Sequence, residues 1–420
     1  MSGSCNKPTL PAVASAQWQH NERRNQRRLR WRALLLVAPL LLFILFNFVA
    51  PLGHMLYRSI HNDGIAQLIP ETSAALSQWT DHRQLPMQAM PPLTRELQAL
   101  AQNRQAGKVA AAVNRHYAGA TSVINRTARG LRNAELPSTP QKAQEFLTQA
   151  APQWAEPELW IAIHKASQNF TDSHYLTALD LERDAQGQLQ VRQDRRIYLQ
   201  LYTKTLGMAG LITLLCALLG YPLAYVLAHA RPALRNLLLI FVLLPFWTSL
   251  LVRTAAWMAL LQNSGVINRI LLWSGLIDAP LTLLYTRFST ILAMTHILLP
   301  FMILPLFSVM RGINPAFMQA ALSMGARPIQ AFSKIYFPLS LPGLSAGALL
   351  VFIISIGYYI TPALLGGTDG QMIANLIAFH MQESNNWGLA AALGGLLLIA
   401  ILALYWIYER LVGMTSVRLY

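Results

Sequence analysis

Long apolar blocks carrying at most a single charge constrain this chain more than any other feature. The first covers residues 33–57 and carries no charge, with Pro39 and Pro51 near its ends. About 20 apolar residues suffice for a helix to cross the hydrocarbon core of a bilayer. Similar blocks follow at about 202–228, 237–261, 291–309, 342–365 and 389–408. Backbone amides cannot be left unpaired in hydrocarbon, so each block reads as a helix. The expectation is an all-α membrane protein with six transmembrane helices. Composition agrees: 54% of residues are hydrophobic and 12% are charged, against about 25% charged in a soluble domain. The first block is too long for a signal-peptide core, so it reads as a retained anchor.

The segment between the first two blocks, residues 58–196, is of a different kind. It holds thirteen of the eighteen acids and fifteen bases, so its charge nearly balances. Residues 94–113 and 141–151 show amphipathic helical spacing. Asp184-Ala185-Gln186-Gly187-Gln188 reads as a turn between short extended runs. About 140 residues can form a small domain, here inserted between the first and second spans. The remaining divisions are a basic tail at 1–32, a five-span core at 197–412 that contains a loop at 311–343, and a tail at 413–420. Residues 267–284 are apolar but hold Arg269 and Asp278, which places them at a membrane surface.

The formal net charge is +15. It is not a nucleic-acid footprint. Arg23, Arg24, Arg27, Arg28, Arg30 and Arg32 crowd the front of the first span, and most bases outside the inserted segment sit singly beside apolar blocks. Lysine and arginine mark the cytoplasmic side of short loops. With the N-terminus inside, that side collects the tail, Arg231, Arg235, Arg311, Arg327, Lys334, Arg410 and Arg418. This assignment predicts an inner-membrane, multi-pass protein with both termini cytoplasmic and the 58–196 domain periplasmic.

The loop at 311–343 is the most informative stretch. Asn314 suits an N-cap and Pro315 the first helical position. Gly325 suits the left-handed position after a helix end. Pro328 can open a second helix, which Pro338 is expected to stop. In the first helix, Phe317, Ala320, Ala321 and Met324 share one face. An isolated helix this short is marginal in water, so it must pack on its own spans or on a partner.

These residues resemble the "EAA" loop of binding-protein-dependent ABC permeases. The match is Gln319-Ala320-Ala321, Gly325, Ile335 and Pro338, with Gln319 where the family usually has glutamate. Gly220-Tyr221-Pro222-Leu223-Ala224-Tyr225, Leu244-Pro245-Phe246-Trp247-Thr248-Ser249, Val252-Arg253-Thr254, Leu299-Pro300-Phe301-Met302 and Thr361-Pro362-Ala363-Leu364-Leu365-Gly366-Gly367 are similar to the spermidine/putrescine permease branch. The resemblance covers about residues 198–412 and the first span, not the inserted segment. It implies the permease of a type I ABC importer, not itself an enzyme. A dimer of separate ATPase subunits would bind ATP and magnesium. A second permease subunit, favouring a heterodimer, and a periplasmic binding protein complete the implied assembly. This chain would hold no cofactor of its own, and it lacks a G-x-x-x-x-G-K-[ST] loop.

Candidate pathway residues follow from the cost of charge in a membrane. Arg253 lies within the third block, and an intramembrane charge usually faces a cavity or a bundle interior. Trp247 and Trp257 flank it, although aromatics near span ends are more often interface anchors. Tyr358, Tyr359 and Thr361 precede Pro362 and Gly366-Gly367 in the fifth block. Polyamine-type members of the resembled family carry an acid near the Tyr358–Tyr359 position, and here there is none. The expected solute is a polyamine, an opine or an amino-acid-like amine. His54, His229 and His296 are isolated and read as structural. Gly343 with Gly347 and Ala391 with Gly395 read as helix-packing pairs. The rival reading is a secondary carrier or channel, but no inverted repeat and no acid within a span supports it. A metal site has no ligand cluster, and Cys5 and Cys216 no ligand spacing.

Overall fold

The computed structural model describes residues 35–61, 65–168, 170–183, 188–192 and 196–416. The basic tail, most of the turn expected at 184–188 and the last four residues lie outside them. The chain forms two units, Met1–Tyr57 and Arg58–Tyr420, each described by itself. The first consists, in its described part, of apolar helix α1, Leu35–Ile60, whose last residues run into the second unit. Its apolar side chains are exposed.

The inserted segment folds around a core of its own. Its helices of six or more residues are α2 (Pro70–Ser77), α3 (Met90–Gln102), α4 (Ala106–Val113), α5 (Ala120–Leu131), α6 (Pro140–Ala150), α7 (Pro157–Ser167) and α8 (Ser173–Ala178). Residues 94–113, read as one amphipathic stretch, are the body of α3 and all of α4, with a turn between them at Arg104. The centre of the core is a tryptophan pair. Trp154 and Trp160 are 1% and 0% exposed, with ring centroids 5.2 Å apart. Buried indole N–H groups need acceptors. Trp154 Nε1 donates to Thr127 Oγ1 at 2.9 Å and Trp160 Nε1 to the Trp154 carbonyl at 3.0 Å. Two short strands, β1 (Leu181–Arg183) and β2 (Leu189–Val191), pair antiparallel, as the extended runs predict.

The segment is joined firmly to the helices that follow. Asp180 Oδ1 and Oδ2 accept the backbone N–H groups of Tyr198 and Leu199, at 3.2 and 2.8 Å. A carboxylate there complements the positive end of the helix dipole. That helix is α9, Tyr198–His229. On α8, Tyr175 and Ala178 pack into the same cluster as Leu389 and Leu393.

The core continues with α10 (Pro232–Trp247), α11 (Leu250–Leu261), α12 (Val266–Trp273), α13 (Arg287–Gly312), α14 (Pro315–Ser323), α15 (Pro328–Gly357), α16 (Ile360–Leu365), α17 (Ile373–Gln382) and α18 (Trp387–Ser416). Helices α9, α13 and α15 pack on one another and form the centre. The Gly343/Gly347 pair allows this. A Cβ on Gly347 would lie 3.0 Å from the Met302 carbonyl, and one on Gly343 would lie 2.8 Å from Val309 Cβ. Small residues let membrane helices approach backbone to backbone.

Five helices are long and apolar enough to cross a membrane, or six if a bent pair counts as one span. That pair corrects the third predicted span. Residues 237–261 are not one helix. The chain breaks at Thr248–Ser249 and α10 meets the next helices at 98°. Ser249 caps α11, its side chain accepting from Val252 N at 3.2 Å. The fifth predicted span, 342–365, is also two helices. Proline crowds the carbonyl four residues before it, and four before Pro362 is Tyr358, where α15 has ended and α16 has not begun.

Candidate functional site

Two sites take shape in the core, one at the loop that the sequence singles out and one where two broken helices meet.

The loop at 311–343 forms the expected first helix, α14. Asn314 caps it by accepting from Ala316 N at 3.0 Å, and Gly325 takes φ +85°, a left-handed conformation that suits glycine. Pro328 opens the second helix as predicted. Pro338 does not stop it. The helix runs on to Gly357 through a π-turn at Phe332–Tyr336. A π-turn carries one residue more than an α-turn, and here it immediately precedes the proline. Pro338 then falls in the first turn of the following α segment, where a missing N–H costs little.

An aromatic cluster seats this turn. Phe332 and Tyr336 stack, with centroids 5.6 Å apart, and Tyr225 and Tyr336 meet edge to face at 5.2 Å. Tyr221 hydroxyl pairs with Ser340 Oγ at 2.9 Å. The four-residue face expected on α14 is therefore split. Ala321 is buried against its own chain at 3% exposure. Gln319, Ala320, Phe317 and Met324 are exposed. Phe317 and Met324 on α14 and Ile329 in the first turn of α15, 82% exposed, are uncovered apolar side chains of this loop. Ile335 lies inside the π-turn.

The second site lies where α11 and α16 meet. Thr254 Oγ1 and Thr361 Oγ1 approach to 3.3 Å in a buried contact. Arg253, one residue before Thr254 and within the first turn after the Ser249 cap, is half-buried, and its Nε is fully buried with no hydrogen-bond partner. One turn on, Trp257 Nε1 donates to His296 Nδ1 at 3.3 Å. Arg253 lies within electrostatic range of both His296 and Tyr358. Asn375 Nδ2 fastens the break at Tyr359 by donating to its carbonyl at 2.7 Å. His296 also borders a cavity of about 180 Å³ lined by Leu238, Phe241, Val242, Pro245 and Leu299.

The structure thus gathers Arg253, Trp257, Tyr358 and Thr361 around two broken helices. Trp247 ends α10 with 73% of its surface exposed, and among the described residues no hydrogen bond or ring contact ties it to this group. Tyr359 turns outward at 41% exposure. His296, read from the sequence as a lone structural residue, joins the site. It lies 43 positions after Arg253 on another helix, so local spacing carries no signal of the pairing. Among the described residues no group of three or more His, Cys, Asp or Glu side chains is placed to hold a metal.

Residues 220–414 match the family described as "binding-protein-dependent transport system inner membrane component". The spermidine/putrescine transport system permease protein PotB of Haemophilus influenzae is 35% identical over 214 residues, which is 51% of this chain and 75% of that one. PotB of Escherichia coli K12 is 36% identical over 220 residues, 52% of this chain and 80% of that one. The structure of a bacterial alginate ABC transporter in complex with an alginate pentasaccharide-bound periplasmic protein matches at TM-score 0.44 and 20% identity, covering 52% of this chain and 78% of that one. With three-quarters or more of those relatives covered at such identity, this chain belongs to the binding-protein-dependent inner membrane permeases of ABC transporters, in the branch that contains the spermidine/putrescine permeases.

Proposed function

We propose that this chain is one of two permease subunits of an ATP-driven importer that moves a small periplasmic amine, whether polyamine, opine or amino-acid-like, across the bacterial inner membrane. The observation that carries the reading is the exposure of the apolar side chains Phe317 and Met324 on α14 and Ile329 at the start of α15, while Ala321 between them is buried against its own chain. A short helix with its outer face uncovered is built to seat in a partner's groove. In this reading the partner is a dimer of separate ATPase subunits that bind ATP and magnesium. Their closure moves α14, and α14 moves the bundle between outward-open and inward-open states.

Six spans, with both termini in the cytoplasm, keep the loop on the ATPase side and the 58–196 domain on the periplasmic side. The family's description as binding-protein-dependent supports a periplasmic binding protein, and the second permease subunit of the proposed assembly is a different chain, making a heterodimer. Arg253, Trp257, Tyr358 and Thr361, joined by His296, line the pathway. The two broken helices support this, because irregular backbone at membrane depth is tolerated where it lines a cavity or is buried in protein.

The test is to solubilise the tagged chain gently from its native membrane and to identify what accompanies it. An ATP-binding subunit and a second permease are expected, and Phe317→Asp should lose the ATPase while keeping the second permease. A chain that purifies alone, with uptake that persists when ATP is depleted, makes a secondary carrier the better reading. Gln319→Glu is expected to transport normally, because the two side chains share a shape. Ala321 is buried in its own chain, so Ala321→Arg should disturb the loop's seating. Ala320→Arg is the variant that probes docking alone.

A further inference from the structure

We propose that the groove between α9 and α13 binds an anionic membrane phospholipid, whose phosphate is held by Lys204 and Arg287 and whose acyl chain lies along α9. The inference goes beyond the transport reading and depends neither on the solute nor on ATP.

The groove is a cavity of about 660 Å³. Lys204 and Arg287 line it together with Leu201, Met208, Leu211 and Ile291. The two cations share one carboxylate. Asp369, between α16 and α17, accepts from Arg287 Nε at 2.8 Å. It lies 4.0 Å from Lys204 Nζ, beyond hydrogen-bond distance. Asp369 and Arg287 are the charges that act on Lys204, so one positive charge is left unbalanced. The Lys204 side chain is only 17% exposed, yet among the described residues its ammonium makes no hydrogen bond. Arg287 donates through Nε alone. The lysine ammonium and the terminal N–H groups of the guanidinium are therefore left for acceptors outside the protein.

The depth of the two cations fits a headgroup. No charged residue lies between Lys204 and His229, which stands 25 positions later near the far end of α9. At 1.5 Å per residue that body is about 37 Å long. It exceeds the hydrocarbon core of about 30 Å and falls within the roughly 40–45 Å that includes the headgroups. From Lys204 the same face of α9 continues through Gly207, Leu211, Leu214 and Leu218, all exposed. The stretch from Lys204 to Leu214 covers about 15 Å, half the core and so one leaflet. Cations at headgroup level above an uncovered leucine track match an amphiphile with an anionic head. Basic pockets between membrane helices take anionic lipid headgroups, and guanidinium and ammonium both pair with phosphate oxygens. A soluble anion would use the cations and leave the track empty.

The test uses the assembled complex, purified gently from its native membrane and titrated with phosphatidylglycerol or phosphatidylethanolamine. Bound lipid is counted by native mass spectrometry. Phosphatidylglycerol should be retained about fivefold more than phosphatidylethanolamine, and Lys204→Gln should abolish that preference. A Cβ at Gly207 would meet nothing within 4 Å. Gly207→Leu should therefore fill the groove and lower retention of both lipids with both cations intact. Inorganic phosphate, which has the head without the chain, should not displace the lipid. Equal retention of the two lipids, an unchanged preference in Lys204→Gln, or displacement by inorganic phosphate overturns the proposal. A benzophenone attached to Gly207→Cys and photolysed in the native membrane gives an answer even where the other variants fail to assemble. An adduct with phospholipid is expected. An adduct with a second polypeptide would show that protein fills the groove, and would overturn the proposal.

Discussion

The inserted domain and the central bundle differ in how closely their backbones approach and in what they turn outward. In the domain the fully buried side chains are large: Trp154, Trp160, Leu97, Leu131 and Leu147. In the bundle the tight contacts belong to Gly220, Gly343, Gly347, Ala224 and Ala392. Large side chains are buried there too, Leu298, Met302 and Leu306 among them, but many others, such as Leu214, Leu218 and Leu219, point outward at 55%, 62% and 56% exposure. The solvent explains the difference. In water, burying apolar area drives folding at about 25 cal/mol per Å². Between membrane helices that drive is absent, because lipid is as apolar as leucine, so close packing and interhelical hydrogen bonds hold the bundle. Tyr202 hydroxyl donating to the Leu393 carbonyl at 2.6 Å, and Thr205 Oγ1 accepting from Ile373 N at 2.8 Å, are such bonds.

The comparison can be broken from either side. The largest effect is expected from Trp160→Ala, which should cost about 3–5 kcal/mol. Hydrogen exchange across residues 90–167 of the purified chain should rise, while exchange in α13 and α15 stays slow. Gly347→Val should cost the bundle about 1–3 kcal/mol by overpacking against Met302. It should lower the thermal midpoint in detergent and leave exchange in the inserted domain unchanged.

Protonation should act on the domain at the next level down. His116 and His174 are held down to about 4, first by burial and then by the charge of Arg115, with Lys165 and His174 adding to the effect at His116. Each binds a proton more readily when unfolded, so stability is intact at neutral pH and falls as pH drops from about 6.5 toward 4. Between pH 7 and 5.5 the loss should be on the order of 1 kcal/mol per histidine. Exchange measured at α4 and α8 should show it, and His116→Gln should remove about half. The smallest effect is expected at Leu218→Ala. A leucine facing lipid should shift the midpoint by no more than an exposed surface change, within about 0.5 kcal/mol. A large loss there would mean that this face is covered by another subunit.

What could be read from the sequence depended on how local the cause is. The cap at Asn314, the turn at Gly325 and the start at Pro328 are each encoded within a few residues, and all three stand where expected. The break at Thr248–Ser249 was also written locally, as a capping serine, but the apolar run on both sides hid it. Pro362 likewise announced an interruption four residues upstream, at Tyr358. Pro338 misled for the converse reason, because the turn before it widens and the proline falls at the start of a new α segment. His296 and Arg253 come together only through the packing of separate helices, which no spacing in one chain reveals. The apolar side of α14 was legible as a face but not as a divided one. Which side Ala321 takes depends on the seating of its neighbours.

The π-turn at Phe332–Tyr336 also sets an angle. Each residue of an α-helix advances the side-chain direction by about 100°. One extra residue therefore rotates everything before it against everything after it by roughly that amount. With the extra residue, the aromatic side of the turn faces α9 while Gly343 and Gly347 face α13. Removing one residue from the turn would put these two faces out of phase by about 100°. The orientation in which this permease presents α14 is thus governed by a residue count, and an alignment gap of one position there would mean more than most substitutions.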